Sequence, residues 1–394
     1  MSHTRTTIQI GTVSGATFTL KAIVKNPYPI NRKGDILRYS KELSDYGECK
    51  FRVSTKDPLL SSDILQPHVY HVRIKRGTET VWSGAIVDNT ERNKNYIEVV
   101  AVEYDYYLDK MLIRRDASVT AGDGKENYRT FNSGTMAAAV TSVVNSAKTD
   151  FGSTHPLAGM TVSSANIENP NYPQGFKNAD GTNLTGAWNF SSFITLQFDY
   201  HSAFYVLKAF GLYANCDFEV DEDLVFSFKK FIGNKNSGMT FEYGTRGNIV
   251  DYNTPRLGRR MANDMWGIAA DTSGKVLHVN QRDSISVNTY GILQKADAFA
   301  DVKDANFLKT RVNESLQFLK TPDDSPINII LDEKSYPQGQ WGLGDIVTVK
   351  IKDNIIDYNK PRRIVGVTVT LHNLGKEVIT IQTNRPRDMD MQGA

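Results

Sequence analysis

The chain has 394 residues, 40% hydrophobic and 23% charged, the balance of an ordinary folded protein rather than a disordered or collagen-like one. Lys and Arg total 46 against 44 Asp and Glu, and the net charge of +2 argues against a coat for nucleic acid or a clamp on an anionic membrane. That length holds two or three domains, each with its own core. No apolar run approaches the roughly 18 residues of a membrane span, and the N-terminus enters strand-like sequence with no apolar signal segment, so no membrane anchor is expected. Cys49 and Cys216 lie too far apart in sequence to suggest a disulfide framework or a zinc site, and suit a reducing compartment.

In chain order, residues 1–115 predict antiparallel β structure. Thr6 to Val13 and Ala16 to Val24 flank a turn at Ser14-Gly15, and Glu48 to Thr55 is a third strand. Asp57-Pro58 opens a short helical turn through Leu65, and strands follow at His68 to Lys75, Thr80 to Thr90 and Tyr96 to Glu103. In the first of these, Tyr70, Val72 and Ile74 share one face and His71, Arg73 and Lys75 the other, as a sheet with one buried side requires. So many strands in so short a stretch predict a small closed barrel or sandwich.

Residues 116–237 predict an α+β insertion. Ser133 caps a helix to about Thr149, with Met136, Val140, Val143, Val144 and Ala147 on one stripe. Gly152 to Ser192 is rich in Asn, Gly, Pro and Ser and is expected to form an extended arm that orders against a neighbour. A strand at Phe193 to Phe198 leads to a helix at Ser202 to Ala214, then a hairpin of Asp217 to Val220 and Leu224 to Phe231 turning at Asp221-Glu222-Asp223.

Residues 238–394 return to β structure, with strands at Met239 to Tyr243, Ala262 to Asp271 and Val276 to Asn280. One helix runs from about Val302 to Leu319 before Pro322. The last strands are Ile346 to Ile351, Arg363 to Leu371 and Val378 to Thr383; in the middle one, Val365, Val367, Val369 and Leu371 are expected on one face. The fold class is therefore mainly β with an α+β insertion between two β-rich units.

The sequence carries no recognisable chemistry. His68 and His71 on one strand point to opposite faces and read as two surface histidines rather than a metal pair. Asp271-Thr272-Ser273-Gly274-Lys275 has Ala269 where a phosphate-binding loop needs glycine, and reads as a hairpin turn. Asn178 to Asn183 lacks the closing glutamate of a calcium loop. The carboxylates of Asp221-Glu222-Asp223 and Asp388-Met389-Asp390 are expected at a hairpin tip and in a frayed tail, without the enclosure that perturbs a pKa. No Gly-x-Ser-x-Gly or His-Glu-x-x-His motif occurs, so no catalytic residue, metal or cofactor is expected. The pairs Arg114-Arg115, Arg259-Arg260 and Arg362-Arg363, and the stretch Arg385 to Arg387, sit at element ends and read as solvated or interface ion pairs. Tyr104-Asp105-Tyr106-Tyr107-Leu108 fits either an interface anchor or the floor of the first barrel, and the residues do not separate the two.

The order of features in the C-terminal third resembles the tail hub proteins of tailed bacteriophages, the group of the contractile-tail baseplate hub and the late-control D proteins. Ser284 to Gly291 precedes the helix ending near Leu319; then come Ile327 to Leu331, Gly342-Leu343-Gly344-Asp345 entering Ile346 to Val349, Arg363 to Val367, and Gly375 before Val378 to Ile381. Trp82-Ser83-Gly84-Ala85-Ile86-Val87 followed by Ile97 to Glu103 resembles the hairpin that opens such hubs. The resemblance covers both ends of the chain and not the middle. It implies two tube-like β-barrel domains per chain, at 1–115 and 238–394, and a homotrimer forming a pseudo-sixfold ring in the virion. Its implied partners are a distal tail protein ring, the tape-measure protein and receptor-binding or tip fibre proteins, with DNA passing through the bore unbound. On that reading Tyr104, Tyr106, Tyr107, Arg259 and Arg260 are the expected interface residues. Other tail or phage-derived injection-particle components are the near alternatives. A cell-wall glycan hydrolase or glycan-binding module, with 152–192 as its binding loop, is the distant one.

Overall fold

The computed structural model describes residues 6–25, 27–57, 62–113, 128–151, 155–172, 182, 184–190, 196–199, 201–235, 237–245, 247–254, 258–271, 273–299, 302–322, 326–331, 340–373 and 375–384. The first unit comprises β1 (Thr6–Ser14), β2 (Thr17–Val24), β3 (Pro27–Tyr28), β4 (Asp35–Glu42), β5 (Glu48–Ser54), β6 (His71–Arg76), β7 (Glu79–Arg92) and β8 (Tyr96–Val102). The β1–β2 turn forms where expected, with Gly15 at φ +57°, a backbone conformation open to glycine. The strands run in the order β2-β1-β6-β7-β8-β5-β4, with β3 on the flank of β5. Val72 and Ile74 of β6 are buried together, as the alternation requires.

The middle of the chain adds α1 (Asp105–Asp109), β9 (Tyr128–Phe131), β10 (Gly134–Thr135), α2 (Met136–Phe151), β11 (Thr161–Ile167), β12 (Asn189–Phe190), β13 (Leu196–Asp199), α3 (Ala203–Ala214), β14 (Asp217–Val220) and β15 (Val225–Lys229). The expected apolar stripe of α2 is buried, and α2 packs on α3. Ser202 caps α3 by accepting the Tyr205 N–H at 3.1 Å. The expected cap of α2 is displaced: Thr135, not Ser133, accepts from the first turn, through the Ala138 N–H. Part of the expected arm is regular structure, since β11 pairs parallel with β15 and Trp188 is buried; residues 173–181 and 183 lie outside the described residues.

The last part holds β16 (Thr240–Tyr243), β17 (Ile249–Asn253), β18 (Asp264–Ala270), β19 (Val276–Arg282), α4 (Ser284–Tyr290), β20 (Gln294–Ala298), α5 (Ala305–Leu319), β21 (Ile327–Leu331), β22 (Ile346–Lys352), β23 (Asp357–His372) and β24 (Glu377–Asn384). Strands β23-β22-β16-β17-β21-β24 close into a six-stranded barrel, because β23 pairs with both β22 and β24. Between β17 and β21 the chain leaves the barrel as a three-stranded sheet, β19-β18-β20, covered by α5. Helix α5 starts at Ala305 rather than Val302, because the Asp304 carboxylate accepts the N–H groups of Asn306 and Phe307, each at 2.9 Å. Gly267 permits the close approach of α5: a Cβ there would lie 2.2 Å from the Val312 methyl.

Two hydrophobic cores follow from this path. One runs through both β units, from Ile8 and Phe51 to Val349 and Ile381. The other joins the insertion to the 258–320 excursion, from Met136 and Phe210 to Met265 and Leu308. The two β units are one sheet, since β4 pairs antiparallel with β23 from Asp35–His372 to Glu42–Gly366. The expected face of β23 is interrupted at its start. A bulge between Ile364 and Gly366 shifts the phase, so Ile364 fills the core and Val365 turns away, its carbonyl accepting the Leu43 N–H at 2.9 Å.

Candidate assembly surfaces and the joint behind them

Strand β8 turns directly into α1, which places the tyrosine run against the insertion. Tyr104 and Tyr107 are 2% and 3% exposed and belong to the insertion's core. Tyr106 is half-buried, its ring edge-on to Tyr46 at 5.6 Å and 4.5 Å below the Lys110 ammonium. Burial thus makes Tyr104 and Tyr107 parts of an internal joint and leaves Tyr106 partly at the surface.

Of the two histidines expected at the surface, His68 is exposed and His71 is not. His68 precedes β6 at φ +61°, its N–H donating to the Ile86 carbonyl at 2.7 Å and its ring stacked 6.4 Å from Tyr106. His71 is 1% exposed beside Tyr104, and His155 from the insertion meets the Tyr107 ring edge-on at 4.4 Å. Alternation assigned the His71 face of β6 to solvent, and the insertion covers it. Burial pushes His71 down to about 4, with His155 and His68 adding to the shift. Burial, then His68, does the same to His155.

The acidic turn at Asp221-Glu222-Asp223 is a hairpin tip as expected, with Asp223 exposed, but Asp221 and Glu222 are half-buried. It docks on the first sheet, where Lys41 of β4 pairs with the Glu222 carboxylate and the Ser83 hydroxyl donates to the Glu222 carbonyl at 3.0 Å. Glu103 is buried next to it and accepts the Gly47 N–H at 2.6 Å. Burial raises Glu103 to about 8, against the pull of Lys41. Burial also raises Asp105, with Glu103 adding, and raises Glu219 and Asp221. Burial disfavours the charge on Lys41, but Glu222 and Glu103 outweigh it and its pKa stands above the ordinary value.

Of the basic pairs, Arg362 and Arg363 are buried rather than solvated. Arg363 reaches from β23 to the insertion, donating to Asp217 at 2.5 Å and to the carbonyls of Ile232 and Gly344 at 3.0 and 3.1 Å. The guanidinium lies 4.2 Å above the Phe231 ring. Arg259 and Arg260 are exposed in the turn before β18, and Trp266 and Ile268 of β18 are exposed on the face turned away from α5. Arg114, Arg115 and the 385–387 stretch lie outside the described residues.

Asp271 to Lys275 forms the β18–β19 turn, with the Asp271 carboxylate accepting the N–H groups of Ser273 and Lys275 at 2.8 and 2.9 Å. The 178–183 segment lies almost wholly outside the described residues. Among the described residues no group of three His, Cys, Asp or Glu is placed to hold a metal, and no helix is long and apolar enough to cross a membrane. Sequence reasoning missed Lys41, Glu103 and Glu219 as members of the joint. The signal within reach was Leu37-x-Tyr39-x-Lys41, a period-two pattern that ends in a charge.

No family model and no curated protein matches the sequence. Solved structures do match the fold over nearly its whole length. A 43 kDa tail protein of prophage MuSo2 from Shewanella oneidensis aligns over 98% of this chain and 99% of its own, at 13% identity and a TM-score of 0.59. A tail protein from Neisseria meningitidis aligns over 96% of each chain at 10% identity and a TM-score of 0.58. A prophage tail protein from Listeria monocytogenes aligns over 97% of this chain and 96% of its own, at 12% identity and a TM-score of 0.53. At these identities the likeness is one of fold.

Proposed function

We propose that the chain is a structural, non-catalytic hub of a phage tail tip or baseplate, assembled as a homotrimer in the virion. The observation that carries this reading is the β4–β23 ladder, which fixes two β units side by side in every chain. Three such chains present six units, the number a pseudo-sixfold ring needs to meet a sixfold neighbour. The fold shared end to end with prophage tail proteins supports the same setting.

The partners are a distal tail ring above, a tape-measure protein and then DNA in the bore, and receptor-binding or tip fibre proteins below. A bore that passes DNA has to avoid a ladder of phosphate contacts. On the face of β5 opposite the core, Lys50 and Arg52 are neutralised by Glu98 and Glu91 at 2.8 to 3.0 Å, which suits such a wall. Arg259, Arg260 and the partly exposed Tyr106 are the subunit contacts on this reading, with Trp266 and Ile268 adding an apolar centre to the excursion's surface.

Light scattering over a wide concentration range tests the assembly, with imaging of any ring formed. A trimer with a central bore is the expected result. A tight dimer overturns the reading, because two-fold symmetry cannot close that ring. Hydrolysis of purified cell wall that disappears on changing one carboxylate overturns it from the other side.

A further inference from the structure

One end of the first β unit carries a concentration of charge that the near-neutral whole does not suggest. Four adjoining turns meet there. The turn before β4 touches the β23–β24 turn, where the Asn373 N–H donates to the Gly34 carbonyl at 2.9 Å. It touches the end of β5 through β3 and through Arg52, which donates to the Pro29 carbonyl at 3.1 Å. The end of β5 in turn meets the β7–β8 turn, where Thr55 bonds the carbonyls of Asn95 and Lys94 at 3.1 and 2.7 Å.

These turns expose Arg32, Lys33, Lys56, Arg92, Lys94 and Lys376, and none of the six is in an ion pair among the described residues. The carboxylates on the same turns are engaged or withdrawn. The Asp35 carboxylate accepts the Asn31 amide N–H at 2.6 Å and lies 2.6 Å from the His372 ring, Glu91 pairs with Arg52 at 3.0 Å, and Asp57 is half-buried. The turns are also held in shape by their own side chains: Asn31 accepts the Lys33 N–H at 2.9 Å, Ser54 that of Lys56 at 3.2 Å, and Asn93 that of Asn95 at 2.9 Å. Among the basic groups sits the exposed Tyr28, stacked at 4.9 Å on the half-buried Tyr96, with the Arg52 guanidinium 4.2 Å over Tyr96.

We propose that this end of the molecule is a docking face for an acidic protein surface, with Tyr28 as its apolar anchor and the six basic side chains as its rim. The proposal rests on the reading of the chain as a tail component. Charge complementarity selects an acidic partner and speeds its encounter. The fixed turns and the aromatic centre inside a charged rim select a protein, whose interfaces have that anatomy, over a sliding polyanion. The opposite ends of β4 and β5 carry the exposed Glu42 and Glu48, and Asp45, which is paired with Lys208 at 2.6 Å.

Carbodiimide cross-linking of intact particles, which joins a lysine amine to a carboxylate in contact, tests this. Links from Lys33, Lys56, Lys94 or Lys376 to Asp or Glu of a different polypeptide are expected. The double reversal Lys33→Glu with Lys94→Glu is expected to cut incorporation of the chain roughly tenfold, while the purified variant keeps the parent's melting temperature. Links only to Glu42, Asp45 or Glu48 of another copy would make the face a self-contact and overturn the proposal. Retention of a short DNA duplex by the purified chain, lost in the double variant, would overturn it in favour of nucleic acid. Absence of the chain from particles sinks the tail reading and this inference with it; presence in particles with no foreign link at these lysines sinks the inference alone.

Discussion

Tyr39 of β4 stands directly opposite Val369 of β23 in the ladder that makes one sheet of the two β units. Both side chains are buried in the core that the units share. The relative placement of the units is therefore set by backbone hydrogen bonds and apolar packing, not by a linker.

Removing the Tyr39 ring tests that coupling. Tyr39→Ala is expected to lower the unfolding free energy by about 3 kcal/mol through the cavity it leaves. Urea denaturation followed by tryptophan fluorescence checks it. A midpoint that stays where it was would mean the junction contributes little.

The Arg363–Asp217 pair ties β23 to the insertion with both side chains under 10% exposed, at 4% and 8%. Replacing Asp217 by Ala leaves a buried guanidinium short of its carboxylate, and about 3 to 5 kcal/mol of stability is expected to go. Arg363→Met in the same chain is expected to restore part of that loss. The coupling is read from a double-mutant cycle, and strictly additive single losses would show that the pair carries none.

Glu103 sets the alkaline behaviour of the joint. Its folded pKa of about 8 lies above the unfolded value of 4.5, because burial favours the neutral carboxyl. Between those values the folded chain holds a proton that the unfolded chain has lost, so stability falls as pH rises from about 5 to 8. Glu103→Gln stays neutral throughout and is expected to flatten that fall. Melting temperatures of both proteins across this range decide it, and parallel slopes would remove Glu103 as the cause.

His71 and His155 act on the acid side. Burial lowers both from 6.5 to about 4, so the unfolded chain takes up protons first as pH drops. Their stabilisation is complete above pH 6.5 and is lost as pH falls toward 4. In a histidine NMR titration both rings are expected to remain neutral at pH 5.5. His71→Gln is expected to reduce the acid sensitivity of unfolding. Protonation of His71 near its ordinary value would place it in contact with water.

Elements with a strong period were legible before the structure. The α2 stripe, the run of α3 to Ala214 and the Asp217-to-Lys229 hairpin all follow from residue type and spacing. Strand β4 went unread, because only Leu37 and Tyr39 among its eight residues are buried apolar side chains and Lys41 takes the next inward place. Val365 was assigned to the core by simple alternation, which a bulge at Ile364 and Gly366 breaks. Whether the tyrosine run faced outward or inward depended on the docking of residues such as His155, far along the chain.

Residue order alone implies a mainly β chain with an α+β insertion, because periods of two and of 3.6 residues are local properties of the backbone. Near-neutrality and the absence of familiar catalytic motifs are read from the same residues. Which faces water reaches is set by the folded chain. It buried His71, Glu103 and Arg363, joined β4 to β23, and gathered basic turns from residues 32 to 376 at one end. Burial and electrostatic environment are summed over neighbours in space, and the pairing of strands brings together residues whose sequence separation carries no record of it.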